Sequence, residues 1–542
     1  MPNLLNIEGL TIEAFDGEQW KQIVHGVDLT LKRGEVLGLI GESGAGKSTI
    51  GLASMGYTRS GCRISSGSIV FDGIEVLTAS PEERRKLRGG RIAYVAQSAA
   101  ASFNPAHRLI NQFAEGPVQH GLMSFAEAEK KGIAFYRRLD LPEPDRIGYR
   151  YPHQVSGGQL QRAMVAMAMA GKPDIIVFDE PTTALDVTTQ IEVLAAIKDV
   201  IRQQNTAAIY ITHDLAVVAQ VADRIMVLRY GEAVEEGATR DILENPQKEY
   251  TQKLLAVRTF RQDKDLQQND HDVILDVRNV SAGYTQDTRV VEEINLKVAR
   301  RKTIAVVGES GSGKTSLARV ITGLLSPVEG QIVFDGQELA PDLASRDRES
   351  LRRLQMIFQM PDVALNPRQK VRKIIGRPLS FYFDMNGAEN ERRIRELLEM
   401  IELPRRYIER YPSELSGGEK QRVCIARALA AQPELIICDE VTSALDQLVA
   451  EEILKLLDRL QNELGVSYLF ITHDLATVKA IADEIVVMLQ GRIVEQGPRN
   501  EILVPPWHDY TELLLSSVPE MDPNWLDHLL AERQAETRQD GQ

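Results

Sequence analysis

Short apolar runs punctuate the chain. Val36–Ile40 (VLGLI), Ile175–Phe178 (IIVF) and Ala208–Ile211 (AIYI) are apolar throughout, and Thr303–Val307 (TIAVV), Leu435–Cys438 (LIIC) and Tyr468–Ile471 (YLFI) form a second set of the same kind. Runs this short, without polar alternation, predict strands buried on both faces, and the segments between them carry helical patterns. Strands separated by helices imply a parallel sheet with helices on both faces, so the fold class is α/β. Between Ser98 and Val155, and between Met360 and Leu415, the composition turns charged and helix-like, which predicts a helical subdomain inserted into each sheet. The Met-rich stretch Ala163–Ala170 reads as a buried helix. The tail from Pro523 reads as a short helix through Trp525, Leu526, Leu529 and Leu530, with no role assigned.

The pattern is written twice. GESGAGKS at Gly41–Ser48 returns as GESGSGKT at Gly308–Thr315, and SGGQ at Ser156 returns as SGGE at Ser416. From there the register holds: Asp179 and Asp439, Asp186 and Asp446, His213 and His473, and Tyr250 and Tyr510 are all 260 residues apart. The first half carries seven more residues between these two motifs, and the Gly61–Ser66 segment, read as a loop, is expected to hold some of them. The expected organisation is two tandem domains, 1–257 and 273–542, joined by a linker at 258–272. That linker is polar, mixed in charge and without an apolar face. Its fifteen residues could reach about 50 Å.

Composition narrows the function classes. The 542 residues include 63 basic and 77 acidic side chains, a net charge of −14, which argues against nucleic acid as the main partner. Three scattered cysteines, Cys62, Cys424 and Cys438, provide neither a disulfide framework nor a zinc cluster, and point to a reducing compartment. The start, MPNLLNIEGL, lacks the basic and apolar regions of a signal peptide, and no run approaches the ~20 apolar residues of a membrane span. Any work at a membrane would then need other chains to supply the membrane part.

The glycine loops carry the first chemistry. GxxxxGK followed by Ser or Thr, after a strand and before a helix, turns successive backbone N–H groups toward one point where phosphate oxygens can be held. The candidate phosphate-binding residues are Gly41, Glu42, Ser43, Gly44, Ala45, Gly46, Lys47, Ser48 and Thr49 in the first half. In the second they are Gly308, Glu309, Ser310, Gly311, Ser312, Gly313, Lys314, Thr315 and Ser316. Lys47 and Lys314 would neutralise phosphate charge, and Ser48 and Thr315 would hold Mg²⁺. Asp179-Glu180 and Asp439-Glu440 each end an apolar strand, where a metal-linked carboxylate followed by a water-orienting one would suit phosphoryl transfer.

With SGGQ and SGGE added, the sequence resembles the ATP-binding cassette (ABC) ATPases over almost its whole length. The resemblance implies two tandem P-loop NTPase domains, each a mainly parallel sheet core with an inserted helical subdomain, binding ATP and Mg²⁺. It implies that Ser156, Gly157, Gly158 and Gln159, and Ser416, Gly417, Gly418 and Glu419, are signatures, each binding the γ-phosphate held by the opposite domain. Gln97 and Gln359 are similar to the glutamines that touch the metal and the attacking water, so the implied metal set is Ser48, Gln97 and Asp179 with Thr315, Gln359 and Asp439. Glu180 and Glu440 look like the catalytic carboxylates, Asp186 and Asp446 like the D-loop acids, and His213 and His473 like the switch histidines. Tyr284 would stack on adenine in the second half and Phe15 in the first, with Trp20 a rival.

Asn245-Pro246 with Tyr250-Thr251, and Pro505-Pro506 with His508 and Tyr510-Thr511, resemble the C-terminal extension of the oligopeptide/dipeptide/nickel importer ATPases. Asn104-Pro105 and Asn366-Pro367 also fit that group. Some of its members hold an iron–sulfur centre on a cysteine cluster; no such cluster stands here, so neither that centre nor structural zinc is expected. The resemblance implies an ATPase powering uptake of a peptide-like or other small solute, at the cytoplasmic face of the inner membrane. The implied partners are two membrane-spanning permease subunits and, through them, an extracytoplasmic substrate-binding protein, with no nucleic acid. The alternative is a soluble two-cassette ABC protein acting on ribosomes, which the short linker and acidic balance disfavour.

Overall fold

The computed structural model describes residues 3–182, 185–256, 272–285, 288–443 and 445–540; apart from Asp272, the expected linker lies outside them. The described residues fall into two compact units. One comprises the residues up to 256 together with those from 519 onward, and the other comprises residues 272–518.

In the first unit a six-stranded sheet runs from edge to edge as Glu232–Ala238, Arg224–Arg229, Val36–Ile40, Ala207–Ile211, Ile175–Asp179 and Ile92–Val95. Only the first pair is antiparallel. The register pairs Val95 with Phe178 and Asp179 with Ile211, so the segments carrying Gln97, Glu180 and His213 leave the same edge of the sheet. In open parallel sheets the carboxyl edge is where ligands bind. The second unit repeats the arrangement with Leu354–Ile357, Leu435–Asp439, Ser467–Ile471, Thr303–Val307, Glu484–Leu489 and Arg492–Pro498. The apolar runs read as buried strands are strands, and every residue of Val36–Ile40, Ile175–Asp179 and Leu435–Asp439 is buried.

Each unit also holds a four-stranded antiparallel sheet that the sequence did not reveal. It runs Trp20–Leu31, Leu5–Phe15, Cys62–Phe71 and Ile74–Glu75 in the first unit, and Thr288–Ala299, Val273–Thr285, Glu329–Phe334 and Gln337–Glu338 in the second. Its inward residues Leu5, Ile7 and Ile12 share one core with Leu37, Leu39 and Ile209 of the parallel sheet. The Gly61–Ser66 segment, expected as a loop, instead opens the long strand Cys62–Phe71, where Ala14 pairs with Cys62 and Glu13 with Arg63. Cys62 and Ile64 pack on the core while Arg63 lies outside, bonded to Glu13, so alternation makes this stretch a strand.

The inserted segments are helical. In the first unit they contain Leu109–Gln119 and Phe125–Arg138 and lead into Gly157–Met169; in the second, Val371–Phe383 and Gly387–Met400 lead into Gly417–Leu429. Met164 and Met169 of the Met-rich stretch are buried. Ile375, Leu397 and Val423 belong to the same core as Ile436 of the parallel sheet, so the second helical subdomain is packed onto its sheet rather than tethered to it.

The tail departs from expectation. The helix is long, Trp525–Asp540, and it belongs to the first unit although the chain reaches it from the second. Leu526 is fully buried and Leu529 nearly so. The buried Gln220 side chain accepts from the Leu526 N–H at 3.0 Å, and its amide nitrogen lies 2.7 Å from the Glu520 carbonyl and 3.0 Å from that of Asp522. Asp527 pairs with Lys198 at 2.9 Å and with Arg202 at 3.4 Å.

Candidate functional site

Each glycine loop joins a buried strand to a helix, Val36–Ile40 to Lys47–Ala53 and Thr303–Val307 to Lys314–Thr322. Gly41 and Gly308 stand at φ 144° and 152°, and a Cβ on either would lie 2.0 Å from the Leu228 carbonyl oxygen or 2.2 Å from that of Met488. Backbone conformation and space therefore both demand glycine there. Lys47 is buried, and its Nζ donates to the carbonyls of Gly41 at 2.7 Å and Glu42 at 2.9 Å. Lys314 does the same to Gly308 and Glu309, both at 2.8 Å. A buried ammonium that bonds loop carbonyls can turn toward a phosphate without leaving the loop.

The carboxylates meet the loops from the adjoining strand ends. Ser48 Oγ donates to Asp179 Oδ1 at 2.7 Å, and Thr315 Oγ1 to Asp439 Oδ1 at 3.1 Å. Burial raises the Asp439 carboxyl above its ordinary range, with Thr315 opposing. One hydroxyl and one carboxylate fit Mg²⁺, which takes few protein oxygens and completes its shell with phosphates and water. Among the described residues no cluster of three or more His, Cys, Asp or Glu side chains could hold a metal by itself.

The next residue along bends away. Glu180 and Glu440 both stand at φ 50°, a left-handed conformation that costs a non-glycine residue on the order of 1–3 kcal/mol. Their N–H groups are held on the carbonyls of Ile211 and Ile471, both at 2.9 Å. Glu180 thereby receives Gln97 Nε2 at 2.8 Å on one oxygen and meets His213 Nδ1 at 3.1 Å on the other. Glu440 meets Gln359 at 2.6 Å and His473 at 3.3 Å in the same way. Burial works against charge on both histidines, but the neighbouring glutamate, together with Asp214 or Asp474, offsets it and raises both. Burial likewise opposes charge on Glu440, yet His473 and Lys314 hold it below the usual carboxylate range. Each trio is thus a carboxylate between an amide donor and a readily protonated imidazole.

The signatures are helix starts. Ser156 caps Gly157–Met169 in a reciprocal box with Gln159, and Ser416 caps Gly417–Leu429 in one with Glu419. Glu419 also receives the Tyr407 hydroxyl at 2.7 Å. A Cβ on Gly158 would lie 2.4 Å from Thr189 Cγ2, and one on Gly418 2.4 Å from Val449 Cγ1, so both helix starts press on the helix that follows the D-loop acid. Asp186 and Asp446 cap those helices, accepting the N–H of Thr189 at 2.9 Å and of Val449 at 3.1 Å.

The aromatic positions are less alike. Tyr284 is 56% exposed, and its hydroxyl lies 3.3 Å from Ser316 Oγ and 3.0 Å from an Arg319 nitrogen. Leu5 pairs with Phe71 as Leu275 pairs with Phe334, but the strands diverge further on, where Ala14 pairs with Lys21 while Thr285 pairs with Thr288. Phe15, next to Ala14, is 5.4 Å from the Trp20 ring, over which Arg63 lies at 4.1 Å.

Sequence reasoning missed Tyr94. It occupies the strand position of Met356, since it pairs with Val177 as Met356 pairs with Ile437, and its hydroxyl donates to Asp179 Oδ2 at 2.5 Å. No local pattern marks a tyrosine whose partner lies 85 residues away.

A family model described as "ABC transporter" matches residues 24–183 and 291–443, and one described as "Oligopeptide/dipeptide transporter, C-terminal region" matches 234–275 and 494–542. The glutathione import ATP-binding protein GsiA of Salmonella choleraesuis (strain SC-B67) is 38% identical over 96% of this chain and 90% of its own length. Its namesake in Escherichia coli O157:H7 is 37% identical with the same coverages.

Proposed function

Because this chain belongs to the ABC transporter family and carries the C-terminal region of the oligopeptide/dipeptide members twice, we propose that it powers uptake of a peptide-like solute through separate membrane subunits. It is an ATPase, and the relatives that match it along nearly its whole length are ATP-binding subunits of importers. Nothing in those comparisons favours the ribosome-acting alternative. The observation that carries the reading is the duplicated cluster of lysine, hydroxyl, Asp, Glu, Gln and His at the carboxyl edge of each sheet, followed each time by the importer-type region.

In this reading Lys47 and Lys314 leave their loop carbonyls for the phosphates, and the loop N–H groups hold phosphate oxygens. Ser48 with Asp179, and Thr315 with Asp439, would hold Mg²⁺, assisted by Gln97 and Gln359, and the bound ion would supply charge neutralisation at the terminal phosphates. Glu180 and Glu440 accept the proton of the attacking water, each oriented by its Gln and His. Tyr284 offers its exposed ring to adenine, and in the first unit the exposed ring of Phe15, beside Trp20, does the same.

No described helix is long and apolar enough to cross a membrane, and in this reading the permease chains supply the transport path. The second unit offers such chains a cavity of about 680 Å³ beside Gln359, bordered by the exposed apolar side chains of Phe358, Met360 and Val363. A helix end of a permease seated there would sense the glutamine that touches Glu440. The full assignment is a peripheral protein on the cytoplasmic face of the membrane, fed by an extracytoplasmic binding protein, with glutathione and short peptides as the first solutes to test.

Reconstitution with the permease chains in proteoliposomes tests it. ATP hydrolysis should rise when binding protein loaded with a glutathione-like or peptide solute is present, and the solute should accumulate inside. Copurification with ribosomes in place of permease chains would overturn the reading.

A further inference from the structure

The importer-type C-terminal region returns to the ATP site in both units. In the first, the helix Glu249–Ala256 follows the strand Glu232–Ala238; in the second, Asp509–Ser516 follows Arg492–Pro498. Each helix places a tyrosine in its first turn, and both rings are buried. The Tyr250 hydroxyl accepts the Glu42 backbone N–H at 3.3 Å, and the Tyr510 hydroxyl accepts the Glu309 N–H at 2.8 Å. Glu42 and Glu309 are the second residues of the two glycine loops.

These contacts occupy both backbone groups of one loop residue. The Glu42 carbonyl takes Lys47 Nζ at 2.9 Å and the Ala45 N–H at 3.1 Å, while its own N–H goes to Tyr250. The Glu309 carbonyl takes Lys314 Nζ at 2.8 Å and the Ser312 N–H at 3.1 Å, while its N–H goes to Tyr510. A turn of the lysine toward a phosphate removes one bond from the carbonyl side and leaves the tyrosine bond as the fixed point on the other. The surroundings of the two rings differ, with Arg229 lying 4.6 Å over Tyr250 where the second unit has Leu489, yet the hydroxyl contact is the same. Recurrence of the hydroxyl contact across different packing marks the contact, rather than general filling of space, as what the two halves share.

We infer that Tyr250 and Tyr510 are positioning residues of the ATP sites, through which the importer-type C-terminal region braces each phosphate loop by its second backbone N–H. The inference rests on the reading of Gly41–Ser48 and Gly308–Thr315 as ATP-phosphate loops. A neutral hydrogen bond contributes modestly, so its removal should change affinity by about three- to tenfold rather than abolish binding.

The test uses the full chain with Tyr250→Phe, Tyr510→Phe and both together, each keeping the ring. Binding of a fluorescent ATP analogue is measured with Mg²⁺ withheld so that nothing turns over, alongside hydrogen exchange of the peptides spanning the two loops and the thermal midpoint. Each single variant should lose affinity in about half of the sites, the double variant should weaken all sites about three- to tenfold, and exchange should quicken in the loop whose tyrosine was changed. Unchanged affinity and loop exchange, with or without a lowered thermal midpoint, would overturn the inference by showing that the hydroxyls only support the fold. Failure of the unmodified protein to bind the analogue would instead overturn the ATP-site reading itself. Should the double variant not fold, the two singles decide, since each reads its own loop.

Discussion

Tyr94 holds Asp179, and among the described residues no tyrosine holds Asp439 in the same way. The tyrosine hydroxyl sits 2.5 Å from Asp179 Oδ2 while Ser48 occupies Oδ1, and Arg59 approaches to 4.0 Å. In the second unit Met356 takes the place of the tyrosine and offers no donor. The two candidate ATP sites thus share their motif residues but differ one layer out, among the groups that would orient the carboxylate proposed to hold Mg²⁺.

Tyr94→Phe should therefore disturb the first site alone. Losing the partner of a metal-linked carboxylate commonly costs 10–100-fold in metal affinity or activity. A loss of about tenfold is expected in the Mg²⁺ requirement of the first site, seen as a second, weaker phase when ATPase activity is titrated with Mg²⁺. Met356→Leu should leave the titration unchanged. A single-phase titration identical to wild type in Tyr94→Phe would show that the hydroxyl does not tune the metal.

A charged network ties the two sheets of the second unit together. Arg353 bonds Glu434 and Asp335 at 2.5 Å each, and Arg300 bonds Glu434 at 2.5 Å. Arg353 and Arg300 together hold the Glu434 carboxyl at about 2 against burial. Its folded value lies below its unfolded one, so its stabilisation is present above about pH 4.5 and is lost as pH falls toward 2. Glu434→Gln should cost about 1 kcal/mol at pH 7, a modest figure because the group is partly in water, and almost nothing near pH 2. Denaturant melts at the two pH values check this; an equal loss at both would assign the effect to packing.

How much could be read beforehand follows from the range of the signals. Ile175–Asp179 and Leu435–Asp439 are apolar runs that end on motif acids, so strand, edge and candidate chemistry were readable there locally, whereas Leu354–Ile357, which leads to Gln359, is broken by Gln355 and was not read as a strand. The antiparallel sheet was not, because Leu5–Phe15 and Cys62–Phe71 alternate imperfectly across bulges and declare themselves only on pairing. Glycine and serine in Gly61–Ser66 suggested a loop, yet Arg63 bonding Glu13 and Ile64 packing inward make it a strand. Tyr94 and Tyr250 act on partners 85 and 208 residues away, and no periodicity encodes that distance.

The tail shows the same limit. Trp525, Leu526, Leu529 and Leu530 marked a helix, but which unit it would cover depended on Gln220, whose buried amide is satisfied by the backbone of Glu520, Asp522 and Leu526. Leu526→Ala removes a fully buried side chain and should cost the first unit about 2–5 kcal/mol or release the tail altogether. Gln220→Ala should do likewise by leaving tail carbonyls and an N–H without their partner. Limited proteolysis gives the readout: cleavage after Arg533 should quicken in both variants while the second unit's fragments are unchanged. Equal cleavage rates in variant and wild type would show that the tail is not fastened there.

The last prediction concerns the two glutamates. Glu180 and Glu440 have the same left-handed backbone, the same Gln and His partners and the same strand-end position, so neither half bears the mark of a decayed site. Independent sites would let Glu180→Gln and Glu440→Gln each keep about half of the ATPase rate. In the resembled family each signature completes the site of the other half, so one closing motion would serve both. Either substitution should then cost far more than half, toward the ~10²–10⁴-fold of losing a general acid–base group, with the double variant little worse than a single one. Steady-state ATPase rates with the membrane partners present decide between these outcomes. Half the activity in each variant would establish independence. Near-normal activity in one and near-zero in the other would mean that the difference at Tyr94 and Met356 reaches the chemistry and has silenced one site despite its intact residues.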